Sequence, residues 1–196
     1  MKKLLVILGI SLLVLVGCGS SGNFEAQTNW EVSDFEYENQ HGEKVSLEDL
    51  KGTVWLSTFI FTNCETVCPP MTFNMSDIQS MLSEKGIEDY KIVAFSVDPE
   101  VDTPEKLQEY IGNYDVVDES KWELLTGYTQ DHIAKFAADS FKTLVKDDPN
   151  NNQVIHGTSF YLVDQNGVVV KNYSGNTEVP KEEIVIDVET LIEDGK

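Results

Sequence analysis

The chain is 196 residues long and carries 34 acidic against 14 basic side chains, a formal charge of −20, and every basic residue is a lysine. A nucleic-acid binder needs a cationic stripe to neutralise phosphates, so a chain this acidic is excluded from that class, and without arginine it also lacks the planar fork that clamps phosphate in a bidentate way. Hydrophobic content of 41% with 10% aromatics rules out a disordered acidic tail, the length suits one compact domain, and three cysteines are too few for a disulfide scaffold.

In chain order, Met1-Lys2-Lys3 precedes an apolar run from Leu4 to Val16, which has the n-region and h-region of a secretory signal. The run is shorter than the roughly 20 apolar residues of a spanning helix. Leu15-Val16-Gly17-Cys18 resembles a bacterial lipobox. The resemblance implies a lipoprotein signal peptide over residues 1–17 and a thioether-linked diacylglycerol on Cys18, with more than one acyl chain needed for stable anchoring. The protein is therefore expected on the extracytoplasmic face of the cell membrane, held there by lipid. Loss of Lys2 and Lys3 leaves 12 lysines against 34 acids, a charge of −22, which anionic headgroups repel. Residues 18–28, rich in Ser, Gly, Asn and Gln, read as a flexible linker, and residues 29–196 as the folded, monomeric domain. The acidity either steers the domain toward cationic partners or serves solubility alone.

Within the domain, Phe35–Tyr37 and Lys44–Ser46 flank a turn-like segment and predict a hairpin. Val54–Phe61 is a nearly unbroken β-branched and aromatic run, the mark of a strand buried on both faces, and Lys91–Val97 predicts a second. A helix is expected from Pro69 or Pro70 to about Ser83. Thr103-Pro104-Glu105 caps another to about Ile111. Trp122–Leu125 predicts a short strand, and Thr129 a helix to about Phe141. Asn166-Gly167 is a strong hairpin signal between Ser159–Val163 and Val168–Tyr173. After Pro180, Ile184, Val188, Leu191 and Ile192 fall on one face of a last helix. Strands joined by helices indicate an α/β sheet with an antiparallel hairpin at one side, the order found in thioredoxin-like domains: a central sheet flanked by helices, with an added N-terminal hairpin and a C-terminal β-hairpin plus helix.

Cys64 and Cys68 stand in Phe61-Thr62-Asn63-Cys64-Glu65-Thr66-Val67-Cys68-Pro69-Pro70, at the carboxyl end of a strand, where open α/β sheets bind ligands. Pro69 places Cys68 at or just before the helix N-terminus, where free amides and the positive dipole end favour a thiolate. Three intervening residues let the sulfurs share one ion or join as a disulfide, and the spacing alone does not choose. His41 and His132 read as solvated residues without a role. His156 closes a polar loop (Asp147 to Gln153) and enters the strand that begins at Ser159; in a thioredoxin-like sheet that loop packs against the cysteine loop. Two thiolates and an imidazole would then converge, and soft thiolates suit Cu(I) while imidazole accepts Cu(I) or Cu(II).

On these residues the chain resembles the Sco/SenC family of copper-binding, thioredoxin-like proteins, in particular its lipid-anchored members from Gram-positive bacteria. The matching pieces are Phe61-Thr62-Asn63-Cys64 to Cys68-Pro69, then Ser96-Val97-Asp98-Pro99 with Asp102-Thr103-Pro104, then His156-Gly157-Thr158. The resemblance implies copper held by Cys64, Cys68 and His156, and service in assembling the dinuclear copper centre (CuA) of cytochrome c oxidase subunit II. It also leaves open, as the alternative, an enzyme, a thiol-disulfide oxidoreductase that reduces the cysteines of that centre, with Cys64 attacking and Cys68 resolving. Two positions depart from the family pattern: Glu65 stands where many members have proline, and Ile155 where some have an acid. A thiol peroxidase on the same fold would use an arginine that this chain lacks, and a purely structural adaptor would leave the paired thiols idle. Met71 and Met75, one helical turn apart, are either thioether ligands or core, and packing is favoured. Asp98 and Asp102 form either a partner-facing acidic loop or turn structure before the Thr103 cap, with structure favoured. Trp55 and Trp122 are expected in the core and Trp30 over the sheet edge.

Overall fold

A computed structural model of the protein describes residues 24–195. The signal peptide expected over residues 1–17 and the lipid site expected at Cys18 lie outside the described residues. In chain order the elements are β1 (Trp30–Glu31), β2 (Glu36–Glu38), β3 (Lys44–Ser46), α1 (Leu47–Leu50), β4 (Val54–Ile60), α2 (Cys68–Glu84), β5 (Tyr90–Ser96) and α3 (Pro104–Ile111). They continue with β6 (Trp122–Leu125), α4 (Gln130–Phe141), β7 (Val145–Asp147), β8 (Val154–His156), β9 (Ser159–Val163), β10 (Val168–Ser174) and α5 (Lys181–Asp194).

Among the described residues the main sheet has six strands in the order β1-β10-β9-β4-β5-β6. β4, β5 and β6 run parallel, with Val54 opposite Tyr90 and Ile60 opposite Ser96, while β9, β10 and β1 continue antiparallel. All seven residues of β4 are buried, because both faces of the sheet are covered. Trp55 and Phe59 meet Phe141 of α4 edge-on, so by strand alternation Leu56 and Ile60 point to the opposite face. There α2 and α5 pack together, burying Met71, Met75, Ile78 and Leu82 against Ile184, Val188, Leu191 and Ile192. The arrangement is the thioredoxin-like α/β fold with the N-terminal hairpin (β2 and β3) and the C-terminal hairpin plus helix that the pattern predicts.

Local signals set the element ends. The Thr103 and Thr129 hydroxyls accept from the Lys106 and His132 amides, and Ser46 and Asp49 form a reciprocal capping box on α1. In the β9–β10 turn, Asp164 Oδ1 accepts from the amides of Asn166 and Val168, and Gly167 takes φ +82°, a left-handed conformation that glycine adopts without a Cβ clash. Residues 24–28, expected within the linker, are instead laid on the domain. The Gln27 and Thr28 amides donate to the Val170 carbonyl at 2.8 and 3.0 Å, and the Phe24 amide to Asp194 Oδ2 at 2.6 Å. Among the described residues no helix is long and apolar enough to cross a membrane.

Four elements escape the sequence pattern. β1 and α1 are two and four residues long, too short to show a period. The polar loop expected from Asp147 to Gln153 is the connection of a second small antiparallel hairpin, β7 with β8, pairing Val145 with His156 and Asp147 with Val154.

Candidate metal centre

The strand-to-helix junction builds one wall of the site. Phe61 ends the buried run after β4, and Thr62 to Val67 form the loop that returns into α2. Cys68 is the first residue of α2, with prolines in the next two positions, where the missing amides are not needed by the helix. The loop is tied down by a carboxylate from elsewhere in the chain. Asp102, 1% exposed, accepts from the Thr62 amide at 3.2 Å, from Thr62 Oγ1 at 2.6 Å and from Ser96 Oγ at 2.6 Å, while its carbonyl accepts from Thr126 Oγ1 at 2.8 Å. Burial pushes its carboxyl above the ordinary carboxylate range, opposed by these hydrogen bonds. Asp102 is therefore structural, a clamp joining the cysteine loop, the end of β5 and the start of α3. Asp98 instead lines an open cleft with Glu100 and Asp147.

The β7–β8 hairpin supplies the other wall. It brings His156 onto the cysteines, so that the ligand atoms of Cys64, Cys68 and His156 all lie within 4.8 Å of one another. His156 Nε2 is 3.4 Å from Cys68 Sγ, and the Cys68 amide donates to Cys64 Sγ at 3.3 Å. The edge of the Phe61 ring packs on the imidazole, with centroids 5.7 Å apart. His156 Nδ1 lies 2.9 Å from the Gly157 carbonyl. A carbonyl only accepts, so Nδ1 carries a proton and Nε2 is left facing the sulfurs. A backbone carbonyl thus orients the imidazole, and residue 155, on the opposite face of its strand, takes no part. Gly157 is required by space, because a Cβ there would sit 2.1 Å from Thr143 Oγ1.

Both cysteines are free thiols, and they are not equivalent. The Cys64 thiol is brought down to about 3, chiefly by the hydrogen bond from the Cys68 side chain. The backbone amides of Cys68 and Thr66 add to this against the cost of burial. Cys68, fully buried, is pushed up by burial first and then by its bond to and charge repulsion from Cys64. The helix N-terminus was expected to place the thiolate on Cys68; burial outweighs the helix dipole, and the negative charge rests on Cys64. Two sulfurs and one imidazole nitrogen converging at this separation fit a soft ion such as copper.

The remaining candidates separate cleanly. Met71 and Met75 are fully buried core residues, as are Trp55 and Trp122 with 2% exposure or less, and Trp30 lies in the edge strand β1. His41 is exposed, and its ring contacts the neighbouring Gln40 amide. His132 is exposed as well, yet its Nε2 lies 2.7 Å from the buried Tyr37 hydroxyl, a structural contact that its sequence position beside Asp131 did not signal. Thr62, Ser96 and Thr143 also serve the site; Thr62 and Ser96 stood in the matching motifs without a role of their own, and Thr143 carried no sequence signal, since small hydroxyl residues are common everywhere. Gly157 next to His156 was the visible sign of close packing there.

The sequence matches the SCO1/SenC family over residues 24–193, and the chain belongs to that family of copper-binding, thioredoxin-like proteins. Particular relatives sharpen this. The chain is 47% identical over 182 residues to the SCO1 protein homolog of Bacillus subtilis, covering 93% of each chain. The solved structure of BsSco, described as a Sco-family cytochrome c oxidase assembly protein with a disulfide switch, is 49% identical with a TM-score of 0.77, covering 84% of this chain and 95% of that one. The structure of Bradyrhizobium japonicum ScoI with copper bound is 27% identical with a TM-score of 0.69, covering 82% and 99%.

Proposed function

We propose that this protein is a lipid-anchored copper-binding assembly factor that takes copper at Cys64, Cys68 and His156 and passes it to the CuA centre of cytochrome c oxidase subunit II. The observation that carries the reading is the convergence of two thiols and the Nε2 of an imidazole whose Nδ1 proton is committed to a carbonyl. When bound, copper would be held by the Cys64 thiolate, the Cys68 sulfur and His156 Nε2, and this donor set serves cargo that is given up by exchange of ligands. The copper-bound ScoI and the oxidase-assembly description of BsSco support the reading. The anchor rests on the lipobox-like Leu15-Val16-Gly17-Cys18; Cys18→Ala is expected to release the protein from the membrane fraction.

The test is a copper titration of the reduced protein alongside Cys64→Ser, Cys68→Ser and His156→Ala. Each variant is expected to bind more weakly, and equal affinity in all four overturns the reading. One contrast favours a second reading, thiol-disulfide exchange on the cysteines of the same oxidase centre: Cys64 is shifted toward the thiolate and accessible to a small degree, whereas Cys68 is shifted toward the thiol and fully buried, the division of labour between an attacking and a resolving thiol. An oxidase assembly assay separates the two. His156→Ala abolishes assembly if copper delivery is the role and leaves it intact if thiol exchange is.

A further inference from the structure

We propose that the outer face of the β7–β8 hairpin, together with the acidic cleft behind it, is a docking surface for a protein that presents an apolar patch beside lysine or arginine side chains. The proposal rests on the assembly-factor reading and names the surface that would hold the acceptor. Val145 pairs with His156 and Lys146 with Ile155. Side chains alternate along each strand, so Val145 and His156 face the domain while Leu144 and Ile155 share the opposite face, as diagonal neighbours across the ribbon. Val145 is buried at 4%, but Leu144 is 60% and Ile155 48% exposed. Two adjacent exposed aliphatics on a ribbon standing off the main sheet, back to back with a metal-ligating histidine, form a patch rather than scattered surface residues. Lys146 stands between them.

The inner side of the same hairpin walls a cleft of about 330 Å³, with Asp147 and Val154 facing Asp98, Glu100 and Gln130, and no lysine in its lining. Asp98 is held above the ordinary carboxylate range by burial first and then by the like charges of Asp102, Asp147 and Glu100, with Lys106 alone opposing. The cleft is thus negative and under-neutralised, and a cationic side chain from outside relieves it. That charge pattern selects the occupant. Anionic lipid and a second copy of a chain carrying −20 are both repelled, whereas a protein with cations around an apolar centre matches both halves of the surface.

The test titrates the protein with two probes, the soluble domain of oxidase subunit II and a short oligolysine peptide. It compares wild type with Asp98→Asn/Asp147→Asn and with Leu144→Ser/Ile155→Ser, and a parallel copper titration is expected to be unchanged in both variants. The charge variant is expected to lose roughly tenfold in affinity for both probes and to show a shallower salt dependence. The apolar variant is expected to lose roughly tenfold for the oxidase domain at every salt concentration and nothing for oligolysine. If the oxidase domain fails to bind wild type while oligolysine still titrates the cleft, the surface stands and the assignment of the acceptor fails. Equal binding by all three proteins, or binding of neither probe to wild type, overturns the proposal, as does a concentration-dependent dimer that Leu144→Ser/Ile155→Ser dissolves.

Discussion

Gly157→Ala tests how His156 is aimed. The added Cβ would lie 2.1 Å from Thr143 Oγ1 and 3.3 Å from Thr143 Cβ. The first contact is more than 1 Å inside ordinary van der Waals range and forces Thr143 to rotate or the hairpin to move, while the second needs only a few tenths of an ångström. Overpacking of this kind costs about 1–3 kcal/mol. Thr143→Ala removes the offending oxygen, and by itself forfeits the hydrogen bond between Thr143 and the Tyr161 hydroxyl, about 1 kcal/mol. Once the clash is gone, the double variant should lose little more than Thr143→Ala, giving a coupling of about 1–2 kcal/mol in a double-mutant cycle. The assay is chemical denaturation of the reduced, metal-free protein, with copper titration in parallel. Copper affinity is expected to fall in Gly157→Ala and to recover in the double variant, because displacing the hairpin moves Nε2 away from the sulfurs. Costs that add within about 0.5 kcal/mol would refute the steric account.

Asp102→Ala strands the Thr62 amide, the Thr62 hydroxyl and the Ser96 hydroxyl, so denaturation should show a loss of about 2–4 kcal/mol; a loss below about 1 kcal/mol contradicts the clamp. In the reduced, metal-free protein, alkylation of Cys64 should stay nearly constant from about pH 8 to about pH 5, since its thiol sits at about 3. Cys68→Ala removes the donor behind the largest cause and should bring back part of the fall with pH that an ordinary thiol shows. The same shift has a sign for stability. With a folded value below the ordinary 9.0, the stabilising contribution of Cys64 is complete above about pH 9 and drains away as pH falls toward about 3. Met71→Leu and Met75→Leu should each cost under about 1.5 kcal/mol and leave copper affinity unchanged, and a weakened copper titration would show a thioether ligand instead.

The legible parts of the fold were those with a strong local signal. β4 and β5 announced themselves as unbroken apolar runs, α3 and α4 by their threonine caps, the β9–β10 turn by Asn166-Gly167 and α5 by its apolar face. Cys64 and Cys68 were visible because two thiols so close after a buried strand are uncommon, and His156 because it preceded the next strand. The β7–β8 hairpin was invisible, since three-residue strands show no alternation and the connecting Asp148–Gln153 stretch is all polar apart from Pro149. Residues 24–28 looked like linker by composition, yet backbone hydrogen bonds, which any composition can make, tie Gln27 and Thr28 to β10, and the Phe24 amide reaches Asp194 at the end of α5.

The sequence by itself determined the acidity that excludes nucleic acid, the α/β order of elements, and the three residues whose chemistry suits a soft metal, because these follow from residue types and short-range periodicity. Only the tertiary structure decided how those residues work together. The ionised thiol is Cys64 rather than Cys68, because burial depends on what packs over a side chain and outweighs the helix end in which Cys68 sits. Asp102, ambiguous as a sequence position, became the clamp on the cysteine loop once Thr62, 40 residues earlier in the chain, was brought against it. His156 found its orienting partner in a backbone carbonyl, and no residue type encodes such a partner.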